Sequence, residues 1–206
     1  NINNFVIEQV DLIKYRELGL PPSLLQSGDS IDDLFMVSKP VNSDSSTIKG
    51  FEVSLIKDFD FLPSPFSNFG INANFTWADG KTLYRNVQGS GKNQFKTFAG
   101  LSNQSYNLTF YYESDDWEAR ISSAYRSNYI LSVESGNTDQ DESGYHATNY
   151  IDFSAKYKLS DQLELTFEGL NLTDERQELY SDSNDRAYNT TKSGRSFFLG
   201  FTLKLD

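Results

Sequence analysis

The sequence predicts an all-β chain, an antiparallel transmembrane β-barrel wall, on three observations. Bulky apolar and polar residues alternate with period two in run after run, short turns alternate with long polar loops, and aromatic residues abound in a weakly hydrophobic chain. Only 37% of the 206 residues are hydrophobic, yet 12 Tyr and 16 Phe stand against a single Met, a balance that favours strands over helices. A wall with lipid on one side and water on the other needs apolar side chains at only every second position.

Each strand is read by counting in twos, because successive side chains of a strand point to opposite faces. Phe51, Val53, Leu55 and Phe59 oppose Glu52, Ser54 and Asp58; Phe69, Ile71, Ala73, Phe75 and Trp77 oppose Asn72, Asn74 and Thr76. Tyr106, Leu108, Phe110 and Tyr112 are followed, after "SDD", by Trp117, Ala119, Ile121, Tyr125 and Tyr129, opposite Glu118, Arg120, Ser122 and Arg126. Ile151, Phe153, Ala155, Tyr157 and Leu159 oppose Asp152, Ser154, Lys156 and Lys158; Leu163, Leu165 and Phe167 oppose Glu164, Thr166 and Glu168. The last run places Phe197, Leu199, Phe201, Leu203 and Leu205 opposite Ser196, Thr202 and Lys204. An eighth strand, around Ile2 to Val10, is weaker because Phe5, Val6 and Ile7 break the alternation.

Short connections fall near Pro63, Ser114 and Ser160, and long polar ones span Asp11 to Ser46, Gly80 to Asn103, Ser132 to His146 and Asp174 to Thr191. In an up-and-down chain every short turn then lies on one side and every long loop on the other, with both chain ends on the short-turn side. That asymmetry belongs to outer-membrane barrels. Aromatics near the stripe ends, Phe59, Trp77, Trp117 and Tyr129, suit a membrane interface. Periodicity cannot tell which face is inside, so a soluble carbohydrate-binding β-sandwich and a complete eight-stranded porin-like or adhesive barrel stay open at this point.

Charge and composition exclude several functions. A net charge of -11 argues against nucleic acid, whose phosphates need a basic surface. Without Cys there is no disulfide, thiol nucleophile or Cys-ligated metal, and His146 is the only histidine, so neither a catalytic triad nor a multi-His metal site is expected. Glu164 and Glu168 lie four strand residues apart, about 13 Å, too far for a retaining glycosidase pair. Glu134, Asp139, Asp141 and Glu142, near Asn137, lack the spacing of a calcium loop and read as a solvated acidic loop. Lys81, Arg85, Lys92 and Lys96 form a basic loop suited to an anionic ligand or lipopolysaccharide phosphates, although a merely solubilising loop is the simpler reading. No enzyme activity, cofactor or metal is expected.

Several segments together resemble the C-terminal part of a TonB-dependent outer-membrane receptor: "TIKGFEVSLIKDFDFLP", "GINANFTWADGK", "GLSNQSYNLTFYYE", "ARISSAYRSNYI", "IDFSAKYKLSDQLELTFEGLNLTDER" and "SGRSFFLGFTLKL". The most telling are Gly169-Leu170-Asn171-Leu172-Thr173-Asp174, which resembles the family's penultimate-strand ending, and Ser193-Gly194-Arg195 before the last strand. The likeness runs from Val37 onward in order and spacing. It implies about the last eight strands of a 22-stranded barrel. Residues 1–206 would then be the C-terminal part of the barrel domain, with plug and TonB box outside this chain. It further implies active uptake of a scarce small-molecule ligand, of the oligosaccharide or ferric siderophore class, across a Gram-negative outer membrane. The implied partners are the TonB–ExbB–ExbD complex, the barrel-assembly machinery and outer-membrane lipid including lipopolysaccharide. Family members usually end on an aromatic residue, where this chain has Leu205 followed by Asp206.

On that reading Glu118, Arg120, Arg126, Asp152, Lys156, Glu164 and Glu168 face the lumen, as cross-strand ion pairs or plug contacts. Phe110, Ile121, Phe153, Phe167 and Phe201 face lipid. Ligand-binding residues are not identifiable from the sequence.

Overall fold

The computed structural model describes residues 3–26, 29–30, 32–42, 46–87, 92–133 and 140–205. Two units are distinguished, residues 1–46 and 47–206.

In the first unit β1 (Asn3–Asp11) pairs antiparallel with β2 (Leu34–Asn42), from Asn3 opposite Asn42 to Asp11 opposite Leu34. Between them lie the one-and-a-half-turn α1 (Leu12–Glu17) and a 3₁₀ turn at Pro22–Leu24. Asp11 starts α1 by accepting the Lys14 N–H at 2.7 Å, which satisfies one of the N-terminal donors a helix leaves open. Val10, Tyr15 and Val37 form a buried cluster against which Leu18, Leu20, Leu25 and Phe35 pack. The expected strand at the chain start is therefore present, but its partner is β2 and not the large sheet. The span from Asp11 to Ser46, expected to be a polar loop, carries its own small core. The Phe5, Val6 and Ile7 side chains lie outside the described residues.

In the second unit the wall is one antiparallel sheet in the order β14-β11-β10-β7-β6-β4-β3. Its strands are β3 (Thr47–Asp58), β4 (Phe69–Val87), β6 (Gln104–Glu113), β7 (Trp117–Arg126), β10 (Thr148–Lys158), β11 (Leu163–Leu170) and β14 (Ser196–Leu203). These are the seven expected strands, and each pairs with its neighbour in sequence apart from the hairpins inserted in the long loops. At 19 residues, β4 runs past the wall and pairs beyond it with β5 (Lys92–Thr97).

The long connections are not loops throughout. β8 (Tyr129–Val133), β9 (Glu142–Tyr145), β12 (Gln177–Tyr180) and β13 (Ala187–Thr191) form a second, four-stranded sheet in the order β13-β12-β9-β8. They escape sequence reading because strands of four or five residues carry only two or three alternations. Tyr129, counted in the apolar stripe of β7, instead opens β8 after a break at Ser127–Asn128; its ring meets Tyr145 and lies 3.7 Å beneath the Arg126 guanidinium.

Register aligns the two faces of the wall. Ile71, Phe110, Ile121 and Phe153 stand side by side on one face, and Asn72, Thr109, Ser122 and Asp152 on the other. Among the described residues of this unit, the apolar face is left uncovered. Phe110 is 40% exposed, Ile121 46% and Phe201 74%, while the buried apolar residues of this unit, Phe98 and Tyr180, lie outside the seven wall strands. Aromatic pairs flank this band: Phe51–Trp77 and Tyr106–Tyr125 towards the long loops, Phe69–Tyr112 and Trp117–Tyr157 towards the short turns. Eight residues separate Trp117 from Tyr125, about 27 Å along the strand, comparable to the height of an outer-membrane apolar band.

One glycine serves the packing of the polar face. Gly70 sits opposite Tyr111, and a Cβ there would fall 2.3 Å from the ring, so only glycine lets Tyr111 lie across the sheet and reach Asp58 with its hydroxyl.

The sheet ends at β3 and β14, whose outer backbone groups have no strand partner among the described residues. Open edges template pairing with other chains. Residues 1–206 expressed alone are expected to associate through these edges; a monodisperse, protease-resistant monomer in detergent-free buffer, seen by light scattering, would contradict this.

Candidate functional site

The charged residues predicted from the sequence line the polar face of the wall, most of them paired there. Lys156 stands opposite Glu118 and bonds it at 3.4 Å, and Arg120 bonds Glu113 at 2.9 Å across β6 and β7. Both pairs are about half exposed, so each contributes at most about 1 kcal/mol. Asp152 accepts the Asn171 N–H at 2.8 Å. Glu164 and Glu168 make no ion pair or side-chain hydrogen bond among the described residues. Glu168 lines a shallow concavity with Arg120, Asp152 and Ser154. Arg126 is a clamp: Nε donates to Ser102 Oγ at 2.6 Å, Nη2 to the Gly100 carbonyl at 2.8 Å, and the guanidinium covers Tyr129.

The motif around Asn171 is a knot at the long-loop end of the wall. Asn171 adopts φ 53°, which places its amide inside the turn; Oδ1 accepts the Glu175 N–H at 2.7 Å while Nδ2 donates to the carbonyls of Glu175 at 3.2 Å and Gly194 at 3.1 Å. Asparagine tolerates this left-handed backbone better than most residues. Leu172 N–H donates to the Ile151 carbonyl, and the Leu172 carbonyl accepts Arg195 Nε at 2.8 Å. The segment thereby ties together the ends of β10, β11 and β14. Gly194, at φ 78°, supplies the conformation that lets its carbonyl reach Asn171.

Above the wall a second cluster joins three successive long connections. Lys96 on β5 bonds Glu142 at 2.6 Å and Asp141 at 3.2 Å, with only 12% of its side chain exposed. Asp141 also accepts the Ser183 N–H, beyond β12, at 2.9 Å. Tyr180 lies over Gly144, where a Cβ would fall 2.4 Å from its hydroxyl. Burial, then the nearby Glu142 charge, push the Tyr180 phenol up to about 12. For Lys96, burial alone would lower the ammonium, but its hydrogen bonds to the Glu142 and Asp141 carboxylates outweigh it and hold it above its usual value. For Asp141, burial would raise the carboxyl, but the Ser183 backbone N–H and hydroxyl, then Lys96, hold it below its usual value.

This corrects the reading of both charged loops. Lys96 is not an open cation for an anionic ligand, and Arg85 and Lys92 also have interactions of their own. Asp141 and Glu142 are partly buried ion-pair members, not a solvated run; Glu134, Asn137 and Asp139 lie outside the described residues. His146, the expected loop residue, pairs with Asp185 at 3.1 Å and packs on Tyr180. Among the described residues no three His, Asp or Glu side chains converge as metal ligands.

A family model described as TonB dependent receptor-like, beta-barrel matches residues 2–172. No curated protein and no solved structure matches the chain. No helix among the described residues is long and apolar enough to cross a membrane, which says nothing of crossing by strands.

Two predictions follow from the knot and the cluster in the intact protein. Asn171→Ala removes both faces of the amide from the turn and is expected to cost about 1–3 kcal/mol, read as a lower temperature for loss of heat-modifiable mobility on gels. The depressed Asp141 contributes stability above the ordinary aspartate value of 3.8, lost as pH falls through its folded value. The raised Lys96 contributes stability below 10.5, lost as pH climbs through its folded value. The cluster is therefore closed at neutral pH and opens in acid. Lys96→Met is expected to give, at pH 7, the loop proteolysis that the unsubstituted protein should show only in strong acid or strong base.

Proposed function

Because the chain belongs to the TonB-dependent receptor-like β-barrel family, we propose that it forms an arc of the wall of an outer-membrane receptor that actively takes up a scarce ligand. The face carrying Phe110, Ile121, Phe153, Phe167 and Phe201 contacts lipid, and the face carrying Glu118, Arg120, Arg126, Asp152, Lys156, Glu164 and Glu168 lines the lumen. One observation carries this reading: among the described residues of the second unit, the apolar face lies exposed between two rows of aromatic rings, with no second layer of that unit packed upon it. A soluble sandwich would turn those residues towards a second sheet.

Residues 1–206 make up the C-terminal part of a 22-stranded barrel, with seven wall strands present and strand-built connections rising on the extracellular side. The plug and the TonB box belong to the receptor outside this segment. Energy for uptake comes through TonB–ExbB–ExbD, and insertion through the barrel-assembly machinery into a membrane containing lipopolysaccharide. The wall performs no chemistry. It closes the backbone hydrogen bonds that hydrocarbon cannot satisfy and presents a polar inner surface. Glu164 and Glu168, uncommitted within the wall, are the carboxylates best placed to meet the plug, whereas Arg120 and Arg126 hold partners of their own. The ligand is of the oligosaccharide or ferric siderophore class.

Single cysteines in the intact receptor test the orientation. Those replacing Phe110 and Ile121, labelled with a fluorophore, should be quenched by brominated lipid; those replacing Thr109 and Ser122 should react with a hydrophilic maleimide and resist quenching. The reverse pattern would sink the assignment.

A further inference from the structure

On the polar face, where β6, β7 and β10 meet the long connections, a concavity of ≈ 440 Å³ opens between Ser102, Ser105, Asn107, Arg126, Thr148 and Tyr150. Its volume lies in the range of small-molecule sites. Its chemistry differs from that of the rest of the chain. The protein carries 29 acidic residues, yet no carboxylate lines this hollow, while one guanidinium does.

Arg126 is fixed there in advance. Ser102 and Gly100 hold two of its nitrogens, and Tyr129 supports its plane at 3.7 Å. Nη1 has no acceptor among the described residues. A guanidinium already fixed in this way loses little side-chain freedom when it receives an anion. Around it stand hydroxyls with unspent capacity: Ser105, Thr148 and Tyr150 make no side-chain hydrogen bond among the described residues. Asn107 donates to Asn74 at 3.2 Å, which orients its amide. Ala124 adds no bulk to the floor.

From this combination we propose that the hollow is a binding subsite for a carboxylated oligosaccharide. The sugar carboxylate pairs with Arg126, and its ring hydroxyls exchange hydrogen bonds with Ser105, Thr148, Tyr150 and Asn107. A hydroxyl-rich, acceptor-and-donor surface fits a polyol, and the single cation with no competing carboxylate selects a negative charge on it. The assignment rests on the polar face being the lumen and narrows the ligand class proposed above.

The test uses the intact receptor in detergent, titrated calorimetrically with trigalacturonate and with maltotriose, a neutral sugar of the same length. Trigalacturonate is expected to bind at least ten-fold more tightly. Arg126→Gln should erase that preference. Because it also releases Ser102 and Gly100, the double variant Thr148→Val/Tyr150→Phe, which leaves the clamp intact, provides an independent arm and should weaken trigalacturonate at least five-fold. Heat-modifiable mobility of each variant reports that the barrel is folded. Equal affinity for the two sugars, or unchanged trigalacturonate affinity in the folded double variant, would overturn the subsite. Should the cysteine pattern hold while trigalacturonate fails to bind, the subsite falls and the wall assignment stands; a reversed cysteine pattern removes both.

Discussion

The constraint beneath this structure is that a backbone N–H or C=O in hydrocarbon has no water to turn to. Each unpaired group costs several kcal/mol, so a strand can cross only if both its edges are paired. The seven-stranded ladder from β3 to β14 meets that demand by pairing each strand with its neighbours, which leaves β3 and β14 as its two outer edges. Side-chain choice is then relaxed on the backbone's account and governed by the solvent on each face. Lipid accepts Phe, Ile and Leu at alternate positions, and the intervening positions are free to carry Asn, Ser, Thr and charge. The low hydrophobicity of the chain follows from this division and is no sign of a soluble fold.

The same division explains which parts were legible beforehand. Strands of eight or more residues repeat their alternation often enough to be counted, and all seven wall strands fell where Phe51, Phe75, Phe110, Ile121, Phe153, Leu165 and Phe201 placed them. The Asn171 segment stands out in the sequence as a motif, but the hydrogen-bonded knot by which it joins three strands depends on partners distant along the chain, such as Ile151 and Gly194. Beyond the wall the period gave out. β8, β9, β12 and β13 are too short to show it, and the core of Val10, Tyr15 and Val37 draws on a helix and two strands whose apolar residues share no single spacing. A capping aspartate at Asp11 and the apolar positions Leu12, Tyr15 and Leu18 were signals available in the sequence.

Charged residues were the least readable class, because their roles depend on partners far along the chain. Lys96 and Glu142 are 46 residues apart, so nothing local distinguishes Lys96 from the other cations of its loop. Arg126 and Arg120 occupy equivalent positions on β7, yet one pairs with a carboxylate and the other clamps a backbone turn over a tyrosine. Alternation puts both on one face of β7 but cannot separate their tasks.

The unbroken length of β4 has a mechanical consequence. Its backbone passes from the wall into the pairing with β5 without a hinge, and β5 carries the Lys96 anchor. A force applied to that anchor therefore acts along the strand axis, perpendicular to the antiparallel hydrogen bonds, and loads many of them in shear together instead of peeling them singly. The outer rim is thus joined to the wall as a stiff lever, able to resist a pull that would unzip a hairpin attached through a flexible stalk.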